Sequence, residues 1–190
     1  MTGQRSDARR NFARILTVAE AEVAAHGADA SLEQIARVAG VGSATVRRHF
    51  PTRKALLEAV FTQRIHALCE LADTLRGEAD SRAALLRWLR ELLAYSLAAR
   101  GLADALSYQP LTDASDETGQ DSCAAVIEAA GAPLLRKAAA DRTARADITI
   151  RDLLTLIVGI ALATENHTDP TVQADRVFRF AIQGLGPTDT

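Results

Sequence analysis

Arg47, Arg48 and His49 stand in a row, preceded by Ser43, Ala44 and Thr45 and followed, after Pro51-Thr52, by Arg53 and Lys54. Carried on one short helix, side chains of these types suit contact with a DNA duplex. Serine and threonine hydroxyls can bond bases or phosphates, and the methyl groups of Ala44 and Thr45 can meet a thymine methyl. An arginine can grip guanine through two parallel hydrogen bonds, worth about 1–3 kcal/mol of discrimination. His49, Arg53 and Lys54 are placed to meet phosphates. Arg53 and Lys54 fall in the first turn of a helix, where free backbone N–H groups favour an anion. A cation at that end costs about 0.3–1 kcal/mol, and a bound phosphate reverses the sign.

These residues need elements that present them. Ser31 to Lys54 reads SLEQIARVAGVGSATVRRHFPTRK. Ser31 begins a helix, and Gln34 three residues on completes a capping-box pattern. Leu32, Ile35 and Ala36 point to a core, and Gly40 permits a left-handed turn. A second helix, about Ser43 to Phe50, follows at once, with Val46 and Phe50 inward and Ala44 and Arg48 outward. Helix, tight turn and cationic helix form a helix-turn-helix: the first braces across the phosphates and the second enters the major groove. Phe12, Ile15, Leu16, Ala19 and Val23 predict an earlier helix from about Ala8 to His26, with residues 1–6 frayed.

Downstream, Thr52 caps a helix to about Arg76, which connects a helix-turn-helix domain (1–54) to a larger helical domain (55–190). Further helices are expected from Ser81 to Gly101, briefly from Leu102 to Tyr108, and from Ser122 to Asp141 with a kink or break at Pro133. Thr149, with Asp152 at N3, caps the next, and Asp169-Pro170 opens the last, which runs to Gly184. Residues 109–120, polar and acidic with Pro110 and Gly119, read as a long loop or a disordered one. The fold class is all-α.

The 190 residues are 48% hydrophobic and 24% charged, a globular balance. The net charge of −2 hides an asymmetry. Residues 1–64 hold ten Lys and Arg against six Asp and Glu, or +4; the rest holds twelve against eighteen, or −6. A basic end on an acidic remainder points to a polyanionic partner at that end. Cys69 and Cys123 match no metal or redox spacing and read as free thiols. The four histidines form no metal-spaced cluster, and neither a phosphate loop nor a nucleophile elbow is present, so no enzyme, metal site or cofactor is expected. No signal segment or membrane span is apparent, which predicts a cytoplasmic protein without a membrane partner. The competing reading is a helical adaptor that binds protein rather than DNA; its groove would call for apolar anchors where Ser43 to Arg48 are polar.

SLEQIARVAGVGSATVRRHFPTRKALLEAV resembles the DNA-binding region of the TetR/AcrR family of bacterial transcriptional regulators, with the match running from about Phe12 to Val60. The Gly-Val turn and the His-Phe-Pro-Thr-Arg segment carry it. The segments ALLRWLRELLAYSLAARGLADAL and DLLTLIVGIALAT resemble the regulatory domain of an actinobacterial subgroup. The resemblance implies a three-helix DNA-binding domain, a larger ligand-binding and dimerisation domain, and repression relieved by a small molecule. It places Ser43, Ala44, Thr45, Arg47 and Arg48 on the recognition helix, and His49 and Arg53 at phosphates. Three positions depart from the family pattern. Arg47 stands where a tyrosine is usual and Lys54 where an acid is common, and the turn from Asp141 to Ala144 lacks its usual glycine.

On that footing the partners are a palindromic DNA operator, a second copy of the chain and an unidentified effector. Leu153 to Ala163 has Thr155 as its one polar side chain, so it needs cover on all sides. Leu156, Gly159, Ile160 and Ala163, with Val177, Phe178 and Ala181 of the last helix, are expected at a homodimer interface. Trp88, Leu92, Tyr95, Tyr108, Ile127 and Ile157 are expected to wall an effector pocket for a mainly apolar ligand.

Overall fold

The computed structural model describes the backbone of residues 2–26, 30–106 and 123–186, and side chains within 10–98 and 124–186. Tyr108, the loop expected over 109–120 and the side chain of Cys123 lie outside them. All elements among the described residues are helical: α1 Thr2–His26, α2 Leu32–Val38, α3 Ser43–His49, α4 Arg53–Leu75, α5 Ser81–Leu106, α6 Cys123–Ala140, α7 Ile150–Thr164 and α8 Pro170–Ala181, closed by a 3-10 turn Ile182–Leu185. They divide into two compact units. One holds residues up to Gln63 with Asp104–Leu106; the other holds Arg64–Ala103 and the helices from α6 onward. The division falls inside α4.

In the first unit, Ile15, Leu16, Ala19 and Val23 of α1, Ile35 and Ala36 of α2, Val46 of α3, and Leu56, Leu57 and Val60 of α4 are buried. That is the helical spacing read from the sequence, although α1 begins at Thr2 rather than Ala8. Ser31 caps α2, its hydroxyl accepting the Gln34 N–H at 3.2 Å. The reciprocal arm of a capping box is absent. The Ser31 N–H goes to the Glu22 carboxylate of α1 at 3.3 Å, and the Gln34 amide oxygen accepts from Arg37. The start of α2 is thus tied to another helix rather than closed on itself.

In the second unit, α5 runs unbroken through Gly101 to Leu106, because one glycine costs a helix only about 1 kcal/mol. Helix α6 likewise passes through Pro133. An interior proline costs about 3 kcal/mol, and burial of Ile127, Leu134, Leu135 and Ala138 around it offsets that loss. Thr149 and Asp152 form the full capping box expected of α7, and Asp169 caps α8 by accepting the Val172 N–H at 3.1 Å. Trp88 is fully buried and donates its indole N–H to the Leu68 carbonyl at 3.0 Å. Helix α6 approaches it through Gly131, where a Cβ would stand 2.4 Å from the indole ring and 2.8 Å from Ile150.

Candidate nucleic-acid interface

The turn between α2 and α3 sets the geometry of the site. The N–H of Gly40 bonds the carbonyl of Arg37 at 3.2 Å, and that of Val41 bonds Ala36 at 3.0 Å. This pair is the Schellman closure of a helix, and it requires a left-handed residue at Gly40, whose φ is +63°. Helix α3 then starts at Ser43 and is held from beneath by buried Val46 and Phe50. Ser43, Ala44, Arg47 and Arg48 are exposed and Thr45 is half-buried. The structure therefore brings the expected recognition residues together on one short helix.

The other expected residues separate into different roles. Arg47 does not stand free: its guanidinium meets the Glu33 carboxylate of α2 at 2.7 Å. That hydrogen bond holds the Glu33 carboxyl below the ordinary glutamate range. Arg53 donates to the Ala30 carbonyl at 3.2 Å, bracing the start of α4 against the approach to α2. Lys54 faces Glu58 at 3.9 Å, and Thr52 caps α4 through the Ala55 N–H at 3.0 Å.

His49 differs most from expectation. Its Nε2 is buried and has no hydrogen-bond partner among the described residues, and its ring meets Phe12 edge-on at 5.6 Å. Phe12 also packs on Phe50 at 5.4 Å. His49 is thus part of the wedge that seats α3 on α1, and any phosphate contact falls to its other ring nitrogen. The sequence reading missed Glu33; its signal was an acid in the first turn of the helix that faces a double arginine.

The expected pocket and interface residues fall in different surroundings. Trp88, Leu92, Ile127 and Ile157 are 0–2% exposed and belong to the core of the second unit. Tyr95 does line a cleft of about 330 Å³ between α4 and α5, with Arg64, Ala67, Leu68, Leu71, Glu91 and Ala94. On the outer side, Gly159 and Ala163 are exposed and Leu156, Val177 and Ala181 half-buried. Ile160 and Phe178 instead point inward, and Arg90 of α5 lies 5.6 Å from the centre of the Phe178 ring. Leu162, Val172 and Phe180 are the exposed large apolar residues of α7 and α8. Helical spacing put Phe178 with Val177 and Ala181; in the structure Phe178 is buried within its own unit and Phe180 is the exposed phenylalanine of α8.

Among the described residues no helix is long and apolar enough to cross a membrane, and no group of three His, Cys, Asp or Glu could hold a metal ion. Cys69 is half-buried and free; burial, then Asp73 and Glu70, push its thiol up, which disfavours the reactive thiolate.

Comparison with known proteins agrees with this geometry. Residues 15–60 match the family of bacterial regulatory proteins of the tetR type. Residues 80–187 match the C-terminal domain of SbtR-like transcriptional regulators. A TetR transcriptional regulator from Streptomyces coelicolor is 37% identical, with a TM-score of 0.75 over 93% of this chain and 98% of that one. A TetR regulatory protein from Mycobacterium vanbaalenii is 34% identical, with a TM-score of 0.70 over 96% and 99%. FadR from Bacillus subtilis, solved with stearoyl-CoA, shares the fold at 15% identity and a TM-score of 0.53, over 91% and 98%. No curated protein matches the chain. A helix-turn-helix with a polar, cationic outer face, joined to a helical unit of this type, is the build of a DNA-binding regulator and not of an enzyme: the chain belongs to the TetR family of bacterial transcriptional regulators.

Proposed function

We propose that the protein is a homodimeric repressor that holds a palindromic operator through α3 and releases it when a small, mainly apolar effector binds the second unit. The observation that carries the DNA-reading part is the Gly40 turn, which presents Ser43, Ala44, Arg47 and Arg48 on one outward face. In this reading Arg48 takes base edges, while Arg53 and Lys54 sit at phosphates. The DNA-binding part ends near residue 54, and the helical remainder regulates and dimerises.

Dimerisation is supported by the apolar side chains left on α7 and α8. Phe180 and Val172 are 64% and 63% exposed and Leu162 is 44% exposed. Val172 and Phe180 are eight residues apart and share one side of α8. Gly159 has nothing near its Cβ position, so a partner helix could approach closely. A two-fold pair would set two copies of α3 about one helical turn of DNA, or a multiple, apart.

The effector reading is supported by the cleft between α4 and α5. Ala67, Leu68, Leu71, Ala94 and Tyr95 supply apolar walls, and Arg64 and Glu91 the charged ones. FadR from Bacillus subtilis, of the same fold, was solved with stearoyl-CoA. Helix α4 carries both Lys54 and the cleft residues Arg64 to Leu71, so it is the lever. A ligand that favours one placement of α4 shifts the population away from the DNA-competent state.

Footprinting on the DNA upstream of the protein's own gene tests the reading. The expected result is a protected palindrome, lost in Arg48→Ala, and light scattering that shows a dimer in the wild type and a monomer in Phe180→Asp. Protection without dyad symmetry, or a monomeric wild type, would contradict it.

A further inference from the structure

Glu33 and Arg47 lie fourteen residues apart in sequence and meet at 2.7 Å. Both side chains are about two-thirds exposed, at 66% and 63%. Glu33 is in the first turn of α2 and Arg47 in the last turn of α3, and the hydrogen-bonded turn at Gly40 fixes one helix against the other. Glu33 has a local alternative: Arg37, one helical turn on. That arginine is taken by the Gln34 side chain, its Nε donating at 3.1 Å. The carboxylate is thus committed to the recognition helix rather than to its own helix.

We propose that Glu33 is a specificity-determining positioning residue: it holds Arg47 back from indiscriminate phosphate contact and yields it only to a better partner on the operator. The inference rests on the DNA-reading assignment and deepens it. The magnitudes decide the case. An exposed ion pair favours its closed form by about 1.4- to 5-fold. One phosphate contact, with a salt slope of about 0.9, is worth roughly fourfold at 0.2 M salt. The two nearly cancel, so on random sequence Arg47 gains little by leaving Glu33. A guanine bound through two hydrogen bonds offers about 5- to 150-fold, which opens the pair. The carboxylate, held ionised by the arginine, also carries the same sign as the phosphates and adds to the penalty on a poor site.

The test is a cycle of Glu33→Gln, Arg47→Gln and the double variant. Each is titrated by fluorescence anisotropy against a random-sequence duplex and against the duplex upstream of the protein's own gene, over a range of salt. Both side chains are exposed, so the substitutions leave the core intact. Glu33→Gln is expected to tighten random-sequence binding about fourfold per protomer at 0.2 M salt and to steepen the salt slope by about 0.9 per protomer. The preference for the upstream duplex then falls. Glu33→Asp, which keeps the charge, restores part of that preference. In the Arg47→Gln background, Glu33→Gln is expected to change random-sequence binding less than twofold. An equal change in both backgrounds would show Glu33 acting by repulsion alone and overturn the inference, as would no change in either. If the wild type bound neither duplex in a salt-dependent way, the DNA-reading assignment would fall, and this inference with it.

Discussion

Helix α2 in the first unit and helix α6 in the second are closed by the same hydrogen bonds and by opposite residues. After α2, Gly40 and Val41 bond back to Arg37 and Ala36; after α6, Arg142 and Thr143 bond back to Ala139 and Ala138. Both closures need a left-handed residue. Gly40 supplies φ +63° without strain; Arg142 supplies φ 55° with a Cβ that resists it. The second turn is held by its surroundings. Arg82 donates to the Thr143 and Ile182 carbonyls at 2.8 and 3.0 Å, and Ser81 meets the Thr143 hydroxyl at 3.2 Å. The first unit builds its turn from local chemistry, whereas the second imposes one through contacts 61 and 62 residues away in sequence.

Glycine shows the same contrast. At Gly40 no atom lies within 4 Å of a Cβ position, so the residue is required by its backbone angle alone. At Gly131 the angle is ordinary and the space is missing, because Trp88 and Ile150 fill it.

Substitutions at these positions can break or sharpen the contrast. Gly131→Ala has the largest expected effect, a loss of about 1–3 kcal/mol or more, since a buried indole has nowhere to go. Trp88 is the chain's one tryptophan, so its fluorescence in a denaturant titration reports this unit, and an unchanged midpoint would remove the packing argument. Gly40→Ala is expected to cost about 1–2 kcal/mol, entirely from the left-handed angle, and to weaken DNA binding because it loosens the seat of α3. Far-UV circular dichroism with a parallel DNA titration reads both. Arg142→Gly has the smallest effect and the opposite sign, a gain of about 0.5 kcal/mol as relief of the angle slightly exceeds the added chain entropy. A loss on thermal melting would mean that the Arg142 side chain contributes more than its strained backbone costs.

The contrast also explains how much was legible in the sequence. Ser31, Thr52, Thr149 with Asp152, and Asp169-Pro170 announced their helix starts, because a cap is a short-range matter between neighbours. Gly40 announced the turn, and the apolar spacing announced the core of the first unit. Gly101 gave a misleading end, because one glycine costs a helix little, and Pro133 gave no break, because burial around it offset a local cost. The pairing of Trp88 with Gly131 spans two helices, and no short pattern encodes it. Phe178 and Phe180 are two residues apart on an amphipathic helix, where a step of two positions turns a side chain from core to surface. In the site itself the exposed face of α3 was readable, but the Glu33 partner of Arg47 and the Phe12 cover of His49 come from other helices.

The central claim is that the first unit reads DNA through the outer face of α3. Its most direct test is the equilibrium affinity for the upstream duplex measured across salt, in the wild type and in Arg48→Ala. With Arg53 and Lys54 of each protomer neutralising phosphates, a dimer should lose affinity with a slope of roughly −3.6 in log–log form. Arg48→Ala should cut the preference for that duplex over random sequence by about 5-fold or more, leaving the part that Arg47 carries. Tight binding that ignores both salt and Arg48→Ala would contradict the account.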